Sequence, residues 1–90
     1  MSIMMVLDVP GAGAEQYDQV MKGLAEAGAT TPAGRLHHVA GPRADGWLVV
    51  DVWQDEASFA TFAQTLVPLL AQAGLAYARP EIVPVHNVIG

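Results

Sequence analysis

Ninety residues carrying a net charge of −5, with 52% hydrophobic side chains, make one small domain and leave no room for a second. The four cations, Lys22, Arg35, Arg43 and Arg79, are scattered, which excludes the basic patch that nucleic acid requires; no apolar run is long enough to span a membrane. There is no cysteine, so disulfides and thiolate chemistry are both excluded.

The opening run, Ser2 to Val9, alternates as a strand. Ile3, Met5, Leu7 and Val9 share one face, and Ser2, Met4, Val6 and Asp8 the other. Pro10-Gly11 ends it. Tyr17, Val20, Met21, Leu24 and Ala25 then recur at helical spacing, with Gly13 before them and Gly28 as the C-terminal stop. Arg35 to Ala40 reads as a second strand, Gly41 to Gly46 as a hairpin loop, and Trp47 to Trp53 as a third strand. Asp55 suits a helix N-cap. The stripe Phe59, Phe62, Ala63, Leu66, Leu69, Leu70 and Ala73 follows it. Pro68 lies inside that stripe and predicts a kink or break near Val67. Pro80 to Ile89 reads as the last strand, placed at a sheet edge by Pro84, which has no N–H for a ladder.

The order βαββαβ is that of an α+β, ferredoxin-like sandwich, with strands one and three central and both helices on one face. The third strand divides into Leu48, Val50 and Val52 on one side and Trp47, Val49, Asp51 and Trp53 on the other. The purely apolar set suits the helices, so the tryptophans and Asp51 are expected on the uncovered face. That face is too apolar for water. With a mean hydropathy of +0.32 for the chain, a homodimer is expected to cover it. Asp51 then needs a polar partner in the enclosed space. The start of the chain has no basic segment, and Asp8 interrupts its apolar run. A signal peptide is therefore not expected, and a cytoplasmic location is.

The segments LHHVAG (Leu36–Gly41), DGWLVVDVWQDEASFATF (Asp45–Phe62) and PVHNVI (Pro84–Ile89), in this element order, resemble the dimeric α/β barrel superfamily. That superfamily includes antibiotic-biosynthesis-type monooxygenases, and the match is to its small bacterial members. The resemblance implies a homodimeric α/β barrel in which two sheets pair face to face. It implies a binder of an apolar or aromatic small molecule, with oxygenation or isomerisation without a cofactor as its chemistry. Its alternative is a non-catalytic structural or accessory dimer with a filled lumen. Cofactor-free members use Asn and Trp, and sometimes His, around a hydroxyaromatic substrate. The only asparagine here is Asn87, so those roles are not carried over.

Adjacent strand residues point to opposite faces, so His37 and His38 cannot share a site. Pairing Ala40 with Trp47 puts His38 on the face of Asp51, beside Leu36 and Ala40; a loop one residue different puts His37 there. Under the dimer that the resemblance implies, His38 and Asp51 meet His86 of the partner subunit as a catalytic cluster. Histidine suits general-base work on an acidic phenol or enol. Trp47, Val49, Trp53 and Met4 would line the ligand space, or fill it if the lumen is only an interface. Two histidines and a carboxylate can hold iron, but no sequential ligand motif supports a metal, and none is expected.

Overall fold

The computed structural model describes residues 1–77 and 79–90. Strand β1 (Ile3–Pro10), helix α1 (Ala14–Glu26), strands β2 (Arg35–Arg43) and β3 (Gly46–Trp53), helix α2 (Glu56–Gln72) and strand β4 (Glu81–Pro84) follow one another in the expected βαββαβ order. They form one antiparallel sheet in the order β2-β3-β1-β4. The first and third strands are therefore central, and the second and fourth are edges.

Local chemistry accounts for the element ends. Asp55 caps α2 by accepting a hydrogen bond from the Ser58 amide at 2.8 Å, which satisfies one of the four free N–H groups of the first turn. Gly28 sits at φ 71° just past α1, in the left-handed conformation that closes helices and favours glycine. The expected break at Pro68 does not occur, and α2 runs through it to Gln72. Pro68 lies on the exposed side of that helix, where water can satisfy a freed carbonyl. β4 is shorter than expected and ends at Pro84, opposite Ile3. The hairpin is tighter than expected: Arg43 pairs with Gly46, so Pro42 rather than Ala40 stands opposite Trp47. The shift is two residues, which preserves the sides of His37 to Ala40.

The division of β3 between faces is the reverse of the expectation. Ile3, Met5, Leu7 and Val9 are the buried set of β1, and they pair with Trp53, Asp51, Val49 and Trp47. The core forms there, under Val20 and Leu24 of α1 and Phe59, Phe62, Leu66 and Leu70 of α2. Leu48, Val50 and Val52 lie on the uncovered face with Val6 and Met4. Volume explains the choice: the two tryptophans fill the space under the helices, and the branched aliphatics make a flat outer face. Asp51 tolerates the buried side because its oxygens find donors there.

Candidate active site

Asp51 is 2% exposed, the one charged residue in the core among the described residues. Its carboxylate accepts two hydrogen bonds. His38 Nδ1 donates to Oδ1 at 2.6 Å, and the Trp53 indole N–H donates to Oδ2 at 3.2 Å. His38 is directly opposite Asp51 across the β2–β3 ladder, where side chains on one face are within reach of each other. Between the two histidines, it is His38 that shares the face of Asp51; His37 pairs with Val52 and is exposed.

The other imidazole nitrogen is also engaged. The Tyr17 hydroxyl of α1 is 2.7 Å from His38 Nε2. A carboxylate has no proton to give, so Asp51 fixes the proton on Nδ1 and leaves Nε2 as the acceptor of the Tyr17 O–H. The two ring planes are within 10° of parallel, an orientation that lets the phenol oxygen approach in the imidazole plane, where the Nε2 lone pair points. Burial, with smaller contributions from the Asp51 and Asp18 charges, pushes the Tyr17 hydroxyl above its ordinary value of 10.0, against the pull of Arg35. Tyr17 therefore keeps its proton at neutral pH.

Tyr17, His38 and Asp51 stand on the wall of a cavity between the sheet and the helices. Its volume is about 60 Å³, enough for several waters. The rest of the wall is almost wholly aliphatic and aromatic, including Val49, Leu7 and Phe62. Trp47 is also on it, its ring centroid 5.3 Å from that of Tyr17.

Two of the site residues were missed from sequence. Tyr17 lies on the apolar stripe of α1 and reads as core; its hydroxyl is the only local signal that it does more. Arg35 reaches the same cavity because the β2–β3 register slips between Arg35 and His37, leaving Leu36 as an extra, exposed residue. This β-bulge puts Arg35, not Leu36, on the side of His38. The Arg35 guanidinium lies 6.0 Å from the Phe62 ring centroid and donates to the Thr30 carbonyl at 2.7 Å.

Of the remaining expected residues, His86 and Met4 lie away from this site within the chain, and Trp53 meets it only through Asp51. His86 is exposed, beyond β4 at the opposite edge of the sheet from β2. Both nitrogens of His38 are bonded within its own chain. Met4 is on the uncovered face. Trp53 is fully buried behind Asp51, against Phe59 and Phe62 at centroid distances of 5.7 and 5.3 Å, and is not on the cavity wall. Among the described residues, no cluster of three or more metal-ligating side chains occurs, and no helix is long and apolar enough to cross a membrane.

No protein-family model matches the chain, and no curated protein matches it. Solved structures do. A variant of SnoaB, a cofactor-independent oxygenase from Streptomyces nogalater, aligns over 98% of this chain and 96% of its own at 14% identity, with a TM-score of 0.71. A putative antibiotic biosynthesis monooxygenase from Chloroflexus aurantiacus aligns over 98% and 97% at 20% identity, with a TM-score of 0.64. A variant of MhuD, crystallised with two manganese protoporphyrin IX molecules per active site, aligns over 100% and 99% at 18% identity, with a TM-score of 0.61. At these identities the likeness is one of fold. The chain has the ferredoxin-like βαββαβ fold that these structures share with it.

Proposed function

We propose that the protein binds a small, largely apolar phenol or enol in the cavity beneath its helices and removes a proton from it. The observation that carries this reading is the hydrogen-bonded line Tyr17–His38–Asp51 ending on that cavity. A raised Tyr17 hydroxyl makes a standing tyrosinate unavailable, so the proton moves in a relay. The substrate O–H bond breaks toward the Tyr17 oxygen as the Tyr17 proton passes to His38 Nε2. The charge left behind is an imidazolium held against the Asp51 carboxylate, the arrangement in which an aspartate orients and stabilises a histidine base. The substrate anion that results is electron-rich enough to meet molecular oxygen directly or to be reprotonated at carbon. Those two fates are a cofactor-independent oxygenation and an isomerisation.

Soaking the protein with single-ring phenols and enolic diketones, while following ionisation of the bound probe by its absorbance and oxygen uptake with an electrode, tests this. Bound probe should ionise below its free pKa in the native protein and not in His38→Gln. Probes that bind with unchanged ionisation in both would end the catalytic reading.

The uncovered sheet face supports a homodimer. Val50 pairs with Val6 on one side and Val39 on the other, and Val39 is 66% exposed. A branched aliphatic row across three strands is the kind of patch a second subunit covers. The relay lies on the other face of the same sheet, so the dimer and the catalytic reading are independent. A non-catalytic dimer remains the alternative if no probe responds.

A further inference from the structure

The chain has two tryptophans and two tyrosines, and their surroundings differ in a way that bears on electrons. Trp53 is wholly buried and donates its indole N–H to Asp51. Trp47 is half-buried, on the wall of a surface groove with Pro42 and Gly46, so of the two it is the one a solute can meet. Its ring stands against that of Tyr17, with centroids 5.3 Å apart and planes tilted by 31°. Tyr17 donates its O–H to His38 Nε2 at 2.7 Å. The Trp47 indole N–H has no acceptor among the described residues and no accessible surface.

Loss of one electron makes a phenol O–H or an indole N–H strongly acidic, so the oxidised state is stabilised where a base can take the proton. Trp47 has no such base. On losing an electron it keeps its proton and stays a radical cation, itself a strong oxidant. Tyr17 has one. As its electron leaves, its proton crosses to His38 Nε2, and the Asp51 carboxylate, 2.6 Å from Nδ1, holds the imidazolium that forms. The contrast draws an electron vacancy inward, from Trp47 to Tyr17.

We propose that Trp47 and Tyr17 form a one-electron path, by which a small radical oxidant at the surface groove is reduced to its anion and Tyr17 becomes a neutral tyrosyl radical. The oxidant takes one electron from the Trp47 ring, and Trp47 takes one from Tyr17. The Tyr17 O–H bond breaks and the proton bonds to His38 Nε2, so one electron has left the protein and no proton has. This activity is the reduction of radicals. It is separate from the deprotonation proposed above, because it requires no ligand in the cavity beneath the helices.

Azide radicals made by pulse radiolysis oxidise tryptophan in preference to other side chains, and they serve as the oxidant with no ligand added. Tyr77→Phe leaves Tyr17 as the sole tyrosine. In that protein the tryptophanyl absorbance should decay as the tyrosyl absorbance rises, in one first-order step whose rate does not depend on protein concentration. Tyr17→Phe should abolish that step. Adding His38→Gln to Tyr77→Phe should slow it about tenfold, as expected for loss of one hydrogen bond to a group that becomes charged, with the initial yield of oxidised tryptophan unchanged. Heavy water should also slow it in Tyr77→Phe, since the proton moves with the electron, so the matter is decided even if the His38 variant does not fold. A step as fast in Tyr17→Phe, or a rate indifferent to both His38→Gln and heavy water, would overturn the proposal. With no ligand present, either result leaves the deprotonation reading to its own test.

Discussion

His38 and Asp51 face each other across one rung of the β2–β3 ladder, with Nδ1 2.6 Å from Oδ1. Asp51 is 2% exposed and the His38 side chain 21%. The pair thus runs from the interior to the cavity wall, its buried end anchored by Trp53 and its outer end by Tyr17. The consequences of this arrangement can be measured.

Removing the base should cost turnover more than fold. His38→Gln is expected to lower the rate of probe ionisation or oxygen uptake by about 10²–10⁴-fold, the usual contribution of a positioned general base, with the melting temperature changed little because water reaches the site. Circular dichroism and steady-state kinetics on the same sample separate the two effects.

Asp51→Ala should do the opposite balance of harm. It leaves His38 and the buried Trp53 indole without an acceptor, at ~1–3 kcal/mol for each buried donor left unsatisfied. Denaturant unfolding should show a loss of stability clearly greater than in His38→Gln. Equal stability in the two variants would mean that Asp51 is not the anchor.

Tyr17→Phe tests whether the hydroxyl is part of one unit. Its effect on turnover should be large alone and nearly absent in a His38→Gln background, since residues that act together are not additive. The pH dependence has a definite sign. The folded-state pKa of Tyr17 is raised, chiefly by burial. Its contribution to stability is therefore complete below the unfolded value of about 10 and is lost as pH rises through the higher folded value. Wild type should lose stability in that alkaline window, and Tyr17→Phe should lose less.

Asp55 behaves in the reverse sense. The hydrogen bonds from the Ser58 side chain and amide hold its carboxyl below the ordinary carboxylate value of 3.8. Its contribution is present above the unfolded value and lost as pH falls through the lower folded one. Asp55→Ala should lower the melting temperature at neutral pH, and the difference from wild type should shrink in acid.

Gly34 is strained ground for any other residue. Its φ is 89°, and a Cβ there would lie 2.5 Å from Ser58 Oγ and 2.6 Å from Ser58 Cβ. Its carbonyl also accepts from the Gln54 amide at 2.8 Å. Gly34→Ala should cost ~1–3 kcal/mol, the range for a non-glycine residue forced into this region, measured by urea unfolding.

Much of this was legible in the sequence, and what was not has physical causes. Alternation gave β1 and β3, the 3.6-residue stripes gave both helices, and Asp55 marked the start of α2. Alternation also separates the two sides of β3 correctly but cannot say which side is inside, because both sets are apolar apart from Asp51. The volume of the two tryptophans favours their side, and what lets Asp51 go inside with them is the pair of donors, His38 thirteen residues away in sequence and Trp53 two residues on. Those contacts exist only after the strands have paired. The bulge at Leu36 leaves no mark in composition, so Arg35 was not foreseen. Tyr17 was visible only as a member of a core stripe. The segment around His86 reads as strand, yet β4 stops at Pro84, and past it the Val85 N–H donates to the Ser2 carbonyl at 3.0 Å.

The uncovered face makes a separate prediction. Val50 lies at the centre of its valine row, so Val50→Glu should convert a dimer to a monomer in sedimentation velocity. It should leave Tyr17, His38 and Asp51 undisturbed on the other side. A wild-type monomer at high concentration would contradict the dimer reading.

The most direct measurement of the relay is the ¹⁵N spectrum of the His38 imidazole, assigned with His38→Gln, before and after addition of acetylacetone. The account predicts a proton on Nδ1 and an unprotonated Nε2 in the free protein, and protons on both nitrogens once the probe has bound as its enolate. A free protein with the proton on Nε2, or a bound probe that leaves His38 unchanged, would contradict it.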